Sequence, residues 1–399
     1  MHERQEEAAD ARSFADRARA VLAAGLQAWA RTATGQPRIA STVDGYRLVD
    51  SDGSQYIDWM MAWGSCLLGY GHPRVTAAVV DQAARGALCS LPHMLEVEVA
   101  EALRDMLPHA EQVAFGKNGS DVCAAAVRLA RAVTGKEGVL HFGYHGFHDW
   151  SVAGNGNAEG VPAALQKLLF GIAYNDLDGL ASILDAHAHR VAALILEPMR
   201  DVTPLPGYLE GVRALTRRYD VVLIFDEMVT GFRLHRGGAA LRFGVEPDLA
   251  CYGKALSNGH ALAALVGRAA LMKALPRVAY GMTARGETIA LAAAKAALEV
   301  HATVDVCGHI ARIGAALAER FADVARSVGV QAALRGDPAM LTFDFGGDEA
   351  SRAVFVETCN AHGLLTHGHV LPSLAHDEAA IEASVPAFEA GLRAVRQRT

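Results

Sequence analysis

A lysine, an aspartate and a glycine–serine pair stand at three separated points of this 399-residue chain, each at or just beyond the end of an apolar run. Lys254 follows DLACYG, Asp226 closes VVLIFD, and Gly119 and Ser120 follow EQVAFGKN. A lysine amine is a nucleophile and a base once it loses its proton. A carboxylate at the end of a buried strand needs a cation or a donor to meet it. Backbone N–H groups at a helix start, approached across a glycine and supplemented by a hydroxyl, attract an anion. Taken singly, each has an ordinary reading: Asn118 or Ser120 as a helix N-cap, Asp226 as the partner of Arg233 or a turn cap, Lys254 as a snorkelling surface lysine.

What matters is whether the fold brings them together. Residues 40–60 carry β-branched and aromatic residues around DG turn signals, which predicts short antiparallel strands. From about 70 to 290 the pattern alternates between apolar runs of strand length (EQVAFG, GVLHF, VAALILEP, VVLIFDE) and helical stretches (VCAAAVRLARAV, LEGVRALTRRY). Fully apolar runs between helices predict an α/β fold with a mostly parallel central sheet covered on both faces. The last hundred residues return to amphipathic helices and short strands such as AMLTFDF, giving a smaller α+β domain shared with the N-terminal segment. The expected boundaries are 1–65, 66–290 and 291–399.

In such a sheet, ligands collect beyond the carboxyl ends of the strands, where all three sites fall. An aldehyde cofactor with a basic ring nitrogen and a phosphate tail would use all of them, and pyridoxal 5'-phosphate has those groups. Lys254 would hold it as a Schiff base, Asp226 would keep the pyridine nitrogen protonated, and Gly119 with Ser120 would grip the phosphate.

Over nearly its whole length the chain resembles the class III, fold type I pyridoxal-phosphate aminotransferases, most closely the glutamate-1-semialdehyde aminomutase-like group. The resemblance rests on VDGYRLVDSDGSQYIDW, LLGYGHPRV, KNGSDV, Tyr144-His145-Gly146, DEMVTGFR, YGKALSNG and SLAHDEAAIE. It implies that Tyr144 stacks on one face of the ring, Met228 packs on the other, and Glu197 of LILEPM lies near the cofactor. Thr283 of MTARGETIALAAA would reach a neighbouring subunit's phosphate, which implies a homodimer with shared active sites. The family pattern is left at MRDVTP after Glu197 and at GLLTHGHVLPSLAH (residues 363–376), where the substrate is expected to be read. His145, His148 and Trp150 of YHGFHDW read equally as substrate contacts or as loop-shaping residues.

The expected activity is transamination between a small-molecule amino donor and an oxo acceptor, a sugar or secondary-metabolite intermediate being one candidate. An intramolecular aminomutase, an epimerase or racemase, and a non-catalytic binding module on the same fold are the alternatives. With 20% charged residues, a formal net charge of -7 and scattered Lys and Arg, no basic stripe suited to nucleic acid is present. No window approaches the ~20 apolar residues of a membrane span, and the six scattered cysteines read as reduced core thiols. The histidines show no metal-ligand spacing. These features predict a cytoplasmic protein, and the first 27 residues read as charged and helix-forming, without a signal peptide.

Overall fold

The computed structural model describes residues 14, 16–23, 37–154, 156 and 158–398. The helix-forming expectation for residues 1–27 falls largely outside these. The chain divides into two compact units: Pro73–Cys307, and the described part of Met1–His72 together with Gly308–Thr399.

The larger unit is built on a seven-stranded sheet. Its strands, numbered along the chain, are β1 (Gln112–Gly116), β2 (Gly138–Phe142), β3 (Leu169–Gly171), β4 (Val191–Leu196), β5 (Val222–Asp226), β6 (Leu249–Tyr252) and β7 (Ala263–Gly267). Their spatial order is β1-β7-β6-β5-β4-β2-β3. Strands β3, β2, β4, β5 and β6 pair in parallel, while β7 runs antiparallel to both β1 and β6. Reversing only β7 leaves the other six pointing the same way, so their carboxyl ends share one edge.

Side chains alternate across a strand, and β5 shows what that does. Val222 and Ile224 enter the core beneath helix α1 (Gly119–Thr134), joined there by Val122, Cys123 and Ala126 of the helix. Asp226 has the same parity and therefore turns toward α1 at the very end of the strand. Helix α2 (Tyr208–Arg218) packs against β5 as well. Its Arg213 forms a bidentate pair with buried Asp248 at 2.7 and 2.9 Å, and Asp248 also accepts from Leu223 N at 2.9 Å. This fork fixes the approach to β6 against β5 and so sets how far each strand reaches. Helix α3 (Thr288–Thr303) packs on the turn Lys254–Ser257 that follows β6.

The smaller unit holds the antiparallel strands Ala40–Asp44, Arg47–Asp50 and Gln55–Asp58, with Leu364–Leu365 added in parallel, and a three-stranded sheet from Ala333–Asp337, Met340–Asp344 and His369–Val370. Its core is aromatic, with Phe321, Phe343, Phe355 and Phe388 in mutual edge and tilted contacts. Among the described residues, no helix is long and apolar enough to cross a membrane. The six cysteines are unpaired, and one departs from the core-thiol expectation: Cys89 is exposed on the segment between two helices.

Candidate active site

Five of the shared strand ends deliver the residues singled out above. Gly119 and Ser120 follow β1, Tyr144 and His145 follow β2, Glu197 follows β4, Asp226 ends β5, and Lys254 follows β6. Cross-strand register sets Leu196 opposite Phe225 and Asp226 opposite Cys251, so Glu197, Asp226 and the run into Lys254 stand nearly level.

Asp226 is 2% exposed, and its oxygens are met from several directions. His145 Nδ1 lies 2.7 Å from Oδ2, Met228 N donates to Oδ1 at 3.1 Å, and Cys123 Sγ approaches Oδ2 at 3.5 Å. A carboxylate only accepts, so it is the Nδ1 proton that faces it; among the described residues His145 Nε2 meets no partner. Cys123 stays protonated because its contact with Cys251, then burial and the Asp226 charge, all push the thiol up. Arg233 is not the partner of Asp226. It is itself fully buried, and burial lowers it to about 10.

Lys254 opens the short turn after β6 with its backbone in the left-handed region, φ 47°. Burial holds its amine below the ordinary lysine range, while the Asp226 and Glu197 charges pull back. A buried amine with a depressed pKa spends more time as the neutral nucleophile. Glu197 accepts from Tyr144 N at 2.7 Å, and Arg200 Nη1 stands 3.5 Å from the same oxygen. Burial first, then the Asp226 charge, raises the Glu197 carboxyl.

The loop after β1 is closed by its own helix. Asp121 Oδ2 accepts from Asn118 N at 2.8 Å, leaving Gly119 and Ser120 in the first turn of α1. A Cβ on Gly146 (φ 94°) would fall 2.2 Å from Ser120 Oγ, and Phe147 N donates to that oxygen at 3.3 Å. The YHG loop is therefore seated directly on the start of α1. Met228 fills the space between two glycines: a Cβ would come within 2.8 Å of its sulfur from Gly119 and 2.7 Å from Gly253.

Two residues stand apart from this cluster. Tyr144 is joined through its backbone, with its side chain 61% exposed. Thr283 is exposed on the turn ahead of α3 and makes no hydrogen bond to the other site residues, although the turn's end is tied to the β1 loop by Lys117 Nζ and Glu287 at 2.9 Å. Sequence reasoning left Glu227 without a role. It is fully buried, and it accepts from Thr230 Oγ1 and from the backbone of Ala239 (2.9 Å) and Ala240 (3.0 Å), capping the short helix Gly238–Phe243. Cys123 carried one signal: it lies four residues beyond Gly119, on the helix face that enters the sheet core.

The donor set suits a molecule with an aldehyde, a basic ring nitrogen and an anionic tail. It offers a buried amine of depressed basicity, a buried carboxylate held by donors, and a helix start whose glycine cannot be replaced without moving the neighbouring Met228. Residues 29–390 match the family model described as aminotransferase class-III. The chain is 35% identical over 364 residues to a 3-aminobutyryl-CoA aminotransferase of Cloacimonas acidaminovorans (86% of this chain, 87% of that one). It is 34% identical over 400 residues to a glutamate-1-semialdehyde 2,1-aminomutase of Roseiflexus castenholzii (92% of each). A PLP form of the FumI protein of Sphingopyxis sp. MTA144 superposes with a TM-score of 0.91 at 26% identity, covering 97% of this chain and 96% of that one.

Proposed function

We propose, from the premise that the chain belongs to the class-III aminotransferase family, that it moves an amino group between a small-molecule donor and an oxo acceptor with pyridoxal 5'-phosphate as cofactor. One observation carries the reading: a buried carboxylate with its donors, Asp226, ends β5, and an amine whose basicity burial depresses, Lys254, follows the adjacent strand β6 at the same edge of the sheet.

Lys254 would hold the cofactor covalently through Nζ, Asp226 would face its ring nitrogen, and Gly119 and Ser120 would take its phosphate. Met228 and Tyr144 would bound the ring, with Glu197 beside it and Thr283 reaching a second copy of the chain. When bound, the cofactor supplies an electron-withdrawing ring that stabilises a carbanion at the amine-bearing carbon. Released when an amino donor takes its place, Lys254 Nζ, favoured as the neutral amine by burial, would be the group that takes the proton from that carbon and returns it at its new position. Asp226, oriented by His145 and Met228 N, would be the carboxylate that holds a positive charge on the ring nitrogen.

The similarity to an aminomutase, nearly equal to that with the aminotransferase, favours intramolecular transfer as the second reading. Adding pyridoxal 5'-phosphate to the purified protein should give a yellow visible band that an amino donor bleaches and an external oxo acceptor restores. Bleaching that no external acceptor reverses would favour the aminomutase, and a protein that never colours would overturn both. A homodimer in the cytoplasm completes the reading. Thr283, exposed on its turn, supports the first, and the unpaired thiols suit a reducing compartment. Sedimentation velocity tests the dimer.

A further inference from the structure

Strands β1 and β7 pair as far as Gly116 and Ala263, and there the backbone ladder ends. One residue further out, Lys117 continues the seam with its side chain. Its Nζ donates to Ala261 O at 3.0 Å, on the loop that runs from the Lys254 turn into β7, and to Glu287 Oε2 at 2.9 Å, at the start of α3. The side chains of the ion pair are 16% and 21% exposed, so water screens it only in part.

Each partner is built into a helix start. The backbone N–H groups of Lys117 and Asn118 donate to Asp121 Oδ2 at 3.2 and 2.8 Å, which closes the first turn of α1 around Gly119 and Ser120. Glu287 accepts from Ile289 N at 2.7 Å and from Ala290 N at 3.1 Å, capping α3. Burial by itself would raise the Glu287 carboxyl, but the Lys117 bond and these two N–H groups outweigh it and hold the group below the ordinary glutamate range. Glu287 is therefore a carboxylate in this contact. A second tie runs beside the first: Tyr280 Oη donates to Phe115 O at 2.8 Å, so the segment 280–287 is fastened at both ends to the last residues of β1 and the one that follows.

A lysine beside an anion-binding helix start suggests a counter-ion. The geometry weighs against that use. An ammonium has three N–H donors, two of them are engaged here, and the Glu287 charge offsets its own at close range. What Lys117 does is join three segments: the loop after β1, the loop after the Lys254 turn and the start of α3.

We infer that Lys117 is a positioning residue for the cofactor phosphate, fixing the Gly119–Ser120 turn, through Ala261 and Glu287, against the segment that carries Lys254. A phosphate and an aldehyde on one small rigid molecule can then be met together without the protein having to order itself first. The inference rests on the aminotransferase reading.

The experiment compares pyridoxal 5'-phosphate with pyridoxal, which presents the same aldehyde without the phosphate. Each is titrated into cofactor-free protein and read as the visible band and, after borohydride, as adduct mass. The wild-type protein should favour the phosphate form. In Lys117→Met, which keeps the bulk of the stem, that preference should fall on the order of 10-fold while pyridoxal capture holds, with Lys117→Arg recovering part of it. Glu287→Gln should lower the preference too, and the double variant should lose no more than Lys117→Met alone, because the two residues act through one bond. An unchanged preference overturns the inference. So do equal losses on both aldehydes in step with the urea midpoint of the cofactor-free protein, the mark of a merely structural tie. Additive losses, or a Glu287→Gln that binds the phosphate form more tightly by freeing the ammonium, overturn it in favour of a counter-ion. A wild-type protein that colours with neither aldehyde overturns the parent reading, whatever the variants do.

Discussion

His145 Nδ1 and Asp226 Oδ2 meet at 2.7 Å with both side chains about 1% exposed, 81 residues apart in the chain. The donors that meet so enclosed a carboxylate, His145 Nδ1 and Met228 N, also aim it. Asp226→Asn preserves shape and removes the charge. Proton transfer in a single turnover should slow by about 10²- to 10⁴-fold, while the visible band on adding cofactor persists. Loss of the band in step with the rate would mean that Asp226 serves attachment and not chemistry.

Lys254 gains reactivity from burial, and the sign of that effect is open to measurement. Burial holds its amine below the ordinary lysine range, so the neutral amine becomes available at lower pH than on a surface lysine. The rate of cofactor capture should rise with pH about a midpoint below that of an exposed lysine. Borohydride treatment followed by intact-mass measurement should show a cofactor adduct on the wild-type protein and none on Lys254→Ala. An adduct surviving in the variant would move the attachment to another lysine.

Glu227 ties stability to pH. Burial outweighs the hydrogen bonds from Thr230, Ala239 and Ala240 and raises its carboxyl to about 7, against 4.5 for an ordinary glutamate. With the folded value above the unfolded one, the contribution is full below about 4.5 and is lost as pH climbs to about 7. The size is on the order of 3 kcal/mol. Urea unfolding at pH 5 and pH 7.5 should show wild type losing more stability over this interval than Glu227→Gln. A wild-type-minus-variant difference that stays constant would refute the assignment.

Met228 is held between Gly119 and Gly253, so a methyl group on either glycine must displace its sulfur. Gly119→Ala should weaken cofactor affinity by roughly 10-fold, a cost of about 1–2 kcal/mol from overpacking. Shortening the methionine in Gly119→Ala/Met228→Ala should return part of it. Strictly additive losses in the double-mutant cycle would show that the two residues do not compete for one space.

Much of this arrangement was legible in the chain itself. Apolar runs of strand length mark β1, β2, β4, β5 and β6, and the parity of Val222, Ile224 and Asp226 already turns the aspartate toward one face. The sequence reading passed over β7, because AALVG gives no sign of direction and its reversal is decided by pairing with β1 and β6. It also passed over β3, three residues long. His145 could be flagged but not assigned, since nothing near it in sequence marks Asp226 as its partner. Glu227 was illegible for a different reason: two of its three donors are backbone N–H groups, which every residue but proline carries.

The left-handed backbone at Lys254 has a consequence separate from reactivity. An L side chain at φ 47° is strained, and glycine would take that conformation freely. With the cofactor absent, Lys254→Gly should therefore unfold at higher denaturant than Lys254→Ala, by on the order of 1 kcal/mol, although neither variant retains the amine. The two variants separate what the polypeptide would settle into from what the reaction demands. At this one position the chain would be more comfortable without its reactive group, and an unloaded protein would gain robustness by discarding it.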